Sequence, residues 1–225
     1  MTNLIIIIFF FAISIVEICA EYFYLSWLVF STKPLLMPVL MIYVFHNIGL
    51  REKRSKTQLL LALLFSMLGD VILMFSSKDE MFFLVGLTMF LITHLFYILL
   101  FISYKKPILL WSHTIILLIF ILSYYYLLMY TINPNLLDFS IPVYIYGIVL
   151  CVMLFTSFIL DFKQQKAVVA IGAMLFVFSD SLIALNKFYF VESSMFIQPS
   201  IMLLYVLGQF CIVFGTTKYL RKSRI

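Results

Sequence analysis

Eight apolar runs of about twenty residues, separated by short turns, leave this chain few ways to fold. That is the length a helix needs to cross a hydrocarbon core, where backbone N–H and C=O groups must be satisfied within the protein. The runs lie at about 4–24, 27–49, 57–76, 80–101, 108–130, 139–160, 167–187 and 198–217. A bilayer β-barrel would instead show segments of about ten residues alternating between apolar and polar, and these runs do not alternate. Composition agrees, since 65% of the 225 residues are hydrophobic and 11% charged, with a mean hydropathy of +1.16. A soluble domain carries roughly twice that charged fraction. The expectation is an all-α polytopic membrane protein, a bundle of eight transmembrane helices with residues 1–225 as a single integral membrane domain.

The first run, "MTNLIIIIFFFAISIVEICAEYF", lacks a basic leader and a clear small-x-small cleavage site, so it reads as a retained span. Cys19, Cys151 and Cys211 are odd in number and fall in apolar runs, which suits packing residues better than a disulfide or metal set.

A formal charge of +5 could suggest nucleic acid, but the basic residues sit at span ends, where membrane orientation explains them. Of the 15 lysines and arginines, twelve lie in the turns after spans two, four and six and in the tail after span eight. They are Arg51, Lys53, Arg54, Lys56, Lys105, Lys106, Lys163, Lys166, Lys218, Arg221, Lys222 and Arg224. Only Lys33, Lys78 and Lys187 fall toward the other side. The positive-inside rule then makes both termini cytoplasmic. Tyr22, Tyr24, Trp27, Trp111, Tyr125 and Tyr126 fall near the proposed interfaces, as aromatic residues tend to.

Two spans echo each other. "LFSMLGDVILMF" (64–75) aligns with "MLFVFSDSLIAL" (174–185) on Asp70 and Asp180, each the fourteenth residue of its span. An even number of helices separates them, so both spans run the same way. The pattern suggests a four-plus-four parallel duplication with both carboxylates at one depth.

At about 1.5 Å per helical residue, Asp70 and Asp180 lie about 10 Å from the non-cytoplasmic face. Glu17, Lys33, Tyr146 and Tyr205 come out at a similar level, Gln209 one turn deeper than Tyr205, and His94 and Tyr97 deeper still. An ionisable group inside the membrane costs about 2.5–3.5 kcal/mol on insertion scales. Three carboxylates and a lysine at one level therefore point to a shared polar cavity opening toward the non-cytoplasmic side. Blander readings stand beside this one: an Asp70–Lys33 ion pair, solvated glutamates at Glu17 and Glu21, a packing role for His94, and structural roles for His46 and His113. Gly69, Gly86, Gly172 and Gly208 suit close helix approach.

There is no HExxH, GxSxG elbow, P-loop or His/Cys cluster at metal spacing, so neither a metal nor a cofactor is expected. Ser66, Ser179 and Ser181 have no histidine convincingly placed beside them. Any enzymatic chemistry falls to the carboxylates.

With these residues in hand, the sequence resembles the YhhN-like lysoplasmalogenase family of eight-span membrane proteins. The resemblance is carried by "KPLLMP" from Lys33, "FSMLGDVILM" around Asp70, "GLTMFLITHLFY" from Gly86 through His94 to Tyr97, "GAMLFVFSDSLIALNKF" (172–188) and "YVLGQFCIVFG" (205–215). "YVLGQ" departs from it in having Gly208 where alanine is expected, and span one matches poorly. The resemblance implies hydrolysis of the vinyl-ether bond of a lysoplasmalogen, releasing a fatty aldehyde and a glycerophospho-ethanolamine or -choline. It implies a lysophospholipid substrate among membrane lipids, no nucleic acid partner, and a place in a bacterial inner (cell) membrane. Carried over by position, the polar residues are Lys33, Asp70, His94, Tyr97, Ser179, Asp180, Asn186 and Gln209.

Such a reaction protonates a carbon to give an oxocarbenium ion that water captures, as in glycoside cleavage by two carboxyl groups. Asp70 and Asp180 are the expected catalytic pair, with the acid and base roles unassigned. Lys33, His94, Tyr97, Ser179, Asn186, Tyr205, Gln209 and Glu17 would bind substrate or support them, Lys33 by favouring an ionised aspartate or holding the phosphate. The alternative is a proton-coupled small-molecule transporter using the same carboxylates, in which Pro34 and Pro38 disrupt span two. A third reading is a structural membrane protein whose charges pair internally. Oligomeric state is not legible in the sequence.

Overall fold

A computed structural model of the protein describes residues 2–105, 111–190 and 194–222, apart from the side chains of 50, 111–113 and 222. Lys106, Arg224 and the side chains of Trp111, His113 and Lys222 lie outside the described residues. The described chain is helical throughout: α1 (Thr2–Tyr22), α2 (Ser26–Asn47), α3 (Lys53–Leu73), α4 (Glu80–Ile102), α5 (Trp111–Ile132), α6 (Ser140–Phe158), α7 (Lys166–Phe188) and α8 (Ile197–Lys222). All eight are long and apolar enough to cross a membrane.

The helices overrun the apolar runs at the charged end. α3 starts at Lys53 rather than 57, and α8 continues to Lys222 rather than stopping at 217. Hydropathy marks where lipid begins, whereas helical hydrogen bonding continues until a cap or turn ends it. At the other end, Asp79 caps α4 by accepting from the Met81 N–H at 2.8 Å. The expected disruption of span two does not occur: α2 runs unbroken through Pro34 and Pro38. A membrane helix tolerates proline where side chains and neighbouring helices satisfy the freed backbone groups.

Side-chain bonds gather the chain ends and three connections at one end of the bundle. Asn3 donates to Asn47 at 2.9 Å, and Arg221 reaches the same Asn47 at 3.4 Å. The Asp161 N–H donates to the Tyr104 carbonyl at 2.8 Å. The Tyr104 phenol meets Glu52 at 2.9 Å and Ser55 at 2.7 Å. Burial in this cluster pushes that phenol up to about 12. This is the basic end identified from the loops, so α1 starts and α8 finishes on the same side.

Most helix pairs follow an exchange of halves, although α1 on α8 and α5 on α7 have no comparable counterpart. α3 packs on α4 as α7 packs on α8, α2 on α3 as α6 on α7, and α4 on α6 as α8 on α2. Glycine decides the closest crossing: a Cβ on Gly172 would lie 2.8 Å from the Gly208 carbonyl oxygen, so the α7 and α8 backbones touch there. α3 and α4 meet over Gly69, whose Cβ would fall 2.8 Å from the Phe90 ring. These crossings anchor the two helices that carry the aspartates.

Candidate active site

Asp70 and Asp180 each retain only 6% exposure and line one cavity of about 650 Å³. Around it are α2, α3, α4, α7, α8 and the turns at the end away from the basic loops, with Ser26, Ser77 and Lys187 near its mouth. Its volume falls within the roughly 300–1,000 Å³ common for small-molecule sites. The cavity therefore opens at the end that carries few basic residues.

Asp70 is held from α8. Tyr205 donates to its Oδ2 at 2.6 Å, and the same phenol meets Ser66 at 2.9 Å. Ser66 stands one turn before Asp70 on α3 and accepts from Gln209 Nε2 at 2.7 Å. The amide oxygen of Gln209 in turn accepts from Tyr97. Because Tyr205 spends its proton on Asp70 and Gln209 donates to Ser66, the Ser66 proton is left for the Tyr205 oxygen. Four buried side chains thus form a file of donors that ends on Asp70.

Asp180 is held from the opposite pair of helices. Tyr146 on α6 donates to its Oδ2, and His94 on α4 places Nε2 3.4 Å from the same oxygen. The other ring nitrogen, His94 Nδ1, bonds the Phe90 carbonyl one turn back. His94 is fully buried, with its ring edge-on to Phe176 and Tyr146. Under the exchange of halves, α8 serves Asp70 as α4 serves Asp180.

Lys33 does not pair with Asp70, which rules out the simple ion pair between them. Its ammonium lies 2.6 Å from Glu21 and 3.6 Å from Glu17. Glu17 is fully buried rather than solvated, and it also accepts from Thr32. A buried carboxylate needs such partners, and α1 and α2 supply them from adjacent turns. Lys33 still lines the cavity, together with Asp70 and Asp180.

The remaining residues sort into wall and support. Tyr205, Ser179 and Asn186 line the cavity, although the Ser179 hydroxyl is used on the Ile201 carbonyl at 3.0 Å. His94, Tyr97, Gln209 and Glu17 stand behind the wall, and each reaches it only through another side chain. Two polar partners were not singled out from sequence as site residues: Ser66, findable as one turn before Asp70 on the same face, and Tyr146, already placed at the right level. Among the described residues, no three His, Cys, Asp or Glu side chains converge as metal ligands.

The YhhN family profile matches residues 28–216, from the first turn of α2 to the end of the apolar part of α8. The chain belongs to the YhhN family. This is the lysoplasmalogenase family, and the match takes in both aspartates and every residue bonded to them. It leaves out α1 with Glu17 and Glu21, so the partners of Lys33 lie outside the part of the chain that the YhhN profile covers. No curated protein and no solved structure matches the chain.

Proposed function

We propose that this protein is an intramembrane lipid hydrolase that cleaves the vinyl-ether bond of a lysoplasmalogen or a related lysolipid. The observation that carries this reading is the pair of nearly buried aspartates on the wall of one cavity inside an apolar bundle. A single-chain lipid suits such a site, with its headgroup in the polar mouth and its chain among the helices. The basic end faces the cytoplasm, and the cavity opens to the other side.

The reaction needs a proton at the β-carbon of the alkenyl chain, a carboxylate near the resulting oxocarbenium ion, and an activated water. Water adds to the cationic carbon and gives a hemiacetal. That collapses to the aldehyde and the glycerophospholipid alcohol, returning both carboxyl groups to their starting states. In both aspartates the bonded oxygen is Oδ2, which leaves Oδ1 for whatever enters the cavity. α3 and α7, which bear the aspartates, run as continuous helices rather than the broken ones of many carriers.

The test is purified protein in liposomes with lysoplasmenylethanolamine, with the aldehyde measured. Wild-type protein releases aldehyde, and Asp70→Asn and Asp180→Asn each lower kcat by roughly 10²–10⁴-fold, the range for losing a positioned acid or base. Full aldehyde release from both variants sinks the two-carboxylate mechanism. No turnover by wild-type protein, together with substrate-coupled proton flux, would mark a carrier instead.

A further inference from the structure

His94 is fixed by its backbone bond before it meets Asp180. The Phe90 carbonyl is only an acceptor, so the Nδ1 bonded to it carries a hydrogen. In a neutral imidazole this leaves Nε2 as a bare lone pair, and Nε2 lies 3.4 Å from Asp180 Oδ2. Nε2 is buried and makes no hydrogen bond among the described residues, its approach to Asp180 included. A lone pair facing a carboxylate oxygen is two acceptors without a donor, an arrangement that is unfavourable when buried. One additional proton resolves it, as imidazolium with carboxylate or as imidazole with carboxylic acid.

We propose that Asp180 and His94 hold one proton between them, and that this is the proton given to the vinyl-ether carbon. The surroundings leave His94 as the group for this task. Tyr146 from α6 bonds Asp180 but is not a cation, and Lys187 at the cavity mouth pairs with Glu80 at 3.7 Å. Lys33 is engaged by Glu17 and Glu21 on the α1 side. Among the described residues Asp70 has no comparable partner, since the donor file from Tyr97 to Tyr205 makes it an acceptor. The two aspartates are therefore not interchangeable, despite the matching depth and the exchange of halves.

The bookkeeping of protons closes. The Asp180–His94 pair gives its proton to the β-carbon as the C=C π bond supplies the electrons. Asp70 takes one proton from water as the oxygen bonds to the cationic carbon. On collapse of the hemiacetal, the C–O bond to the glycerol oxygen breaks and that oxygen takes the proton from Asp70. The hemiacetal hydroxyl loses its proton to the pair as the aldehyde forms. His94 touches no substrate atom and acts through Asp180, as a positioning residue.

The destination of the proton rests on the hydrolase reading, but its presence does not, and the test separates the two. Nitrogen-15 NMR of histidine-labelled protein in lipid nanodiscs reads the ring directly, with the three histidines told apart by replacing His46 and His113 in turn. The expected spectrum has Nδ1 of His94 protonated and Nε2 sharing a proton, and Asp180→Asn moves the Nε2 signal alone. A bare Nδ1, or an Nε2 signal unmoved by Asp180→Asn, overturns the shared proton. In the aldehyde assay, His94→Asn lowers kcat by roughly 10²-fold with KM nearly unchanged, the low end for proton-transfer groups. A loss confined to KM overturns the assignment of the proton to the chemical step. If wild-type protein makes no aldehyde, the hydrolase reading fails while the NMR result still decides whether the pair holds a proton.

Discussion

Tyr205 on α8 donates its phenolic hydrogen to Asp70 on α3 at 2.6 Å, although these two helices are not a closely packed pair. The gap between them is spanned by Tyr205, Ser66 and Gln209, so polar side chains replace backbone contact. The carboxylate is held by a bond that neither helix could supply alone.

Tyr205→Phe removes that bond and keeps the ring, which packs edge-on against Phe90 and Phe176. The expected loss is about 1.5–3 kcal/mol if Asp70 is charged in the folded protein. Thermal unfolding in detergent should show it, alongside slower aldehyde release. An unchanged melting temperature would mean that Asp70 does not depend on this donor.

Lys33 sits between two carboxylates, one of them fully buried. Lys33→Met leaves Glu17 without its cation and should destabilise the fold by about 3–5 kcal/mol. Combining it with Glu17→Gln should recover part of that loss. A double-mutant cycle on unfolding free energies reads the coupling, and strict additivity would show that the pair is energetically idle.

Gly172→Ala puts a methyl group 2.8 Å from the Gly208 carbonyl and the Ile212 nitrogen, both backbone atoms. α7 and α8 must separate, at about 1–3 kcal/mol, and Asp180 moves with α7. Gly147→Ala meets the Met129 methyl and the Tyr125 ring at the same 2.8 Å, but these are side chains that can turn aside. It should be the milder change in both melting temperature and activity.

Orientation and cavity entrance are tested together by cysteine labelling in intact cells. Ser77→Cys, exposed at the cavity mouth, should react with a membrane-impermeant maleimide from outside and be shielded by lysolipid. Lys53→Cys, exposed at the basic end, should react only after permeabilisation. The reverse pattern would invert the topology.

Tyr104 tests the basic end through pH. Its phenol is pushed from 10.0 up to about 12, so the folded state keeps a proton that the unfolded chain has released. Its contribution is complete below pH 10.0 and is lost as pH rises through about 12. Melting temperatures of wild-type protein should therefore fall more steeply over that interval than those of Tyr104→Phe. Parallel curves would show that the Glu52–Tyr104–Ser55 cluster does not persist in solution.

Much of the site was legible because depth and helix face are one-dimensional properties. Counting residues put Asp70, Asp180, Tyr146 and Tyr205 at one level, and they pair off, Tyr205 with Asp70 and Tyr146 with Asp180. The blander pairing of Asp70 with Lys33 failed because level says nothing about direction around the bundle. Lys33 turns toward α1, where Glu17 and Glu21 lie, a helix that the family profile does not even cover. Ser66 was weighed only as a nucleophile, because its place one turn before Asp70 gains meaning only once Tyr205 and Gln209 are seen to meet it.

The sequence by itself determined the eight apolar helices, the end that gathers the basic residues and the equivalent places of both carboxylates along their helices. These follow from transfer into lipid, which each segment undergoes on its own terms. Only the tertiary structure decided that Tyr205 serves Asp70 while His94 and Tyr146 serve Asp180. Within lipid no hydrophobic force selects one apolar helix face over another, so neighbours are chosen by close packing at small residues and by hydrogen bonds between helices. Gly172 against Gly208, and the reach of a tyrosine from one helix to a carboxylate on another, are facts of that packing.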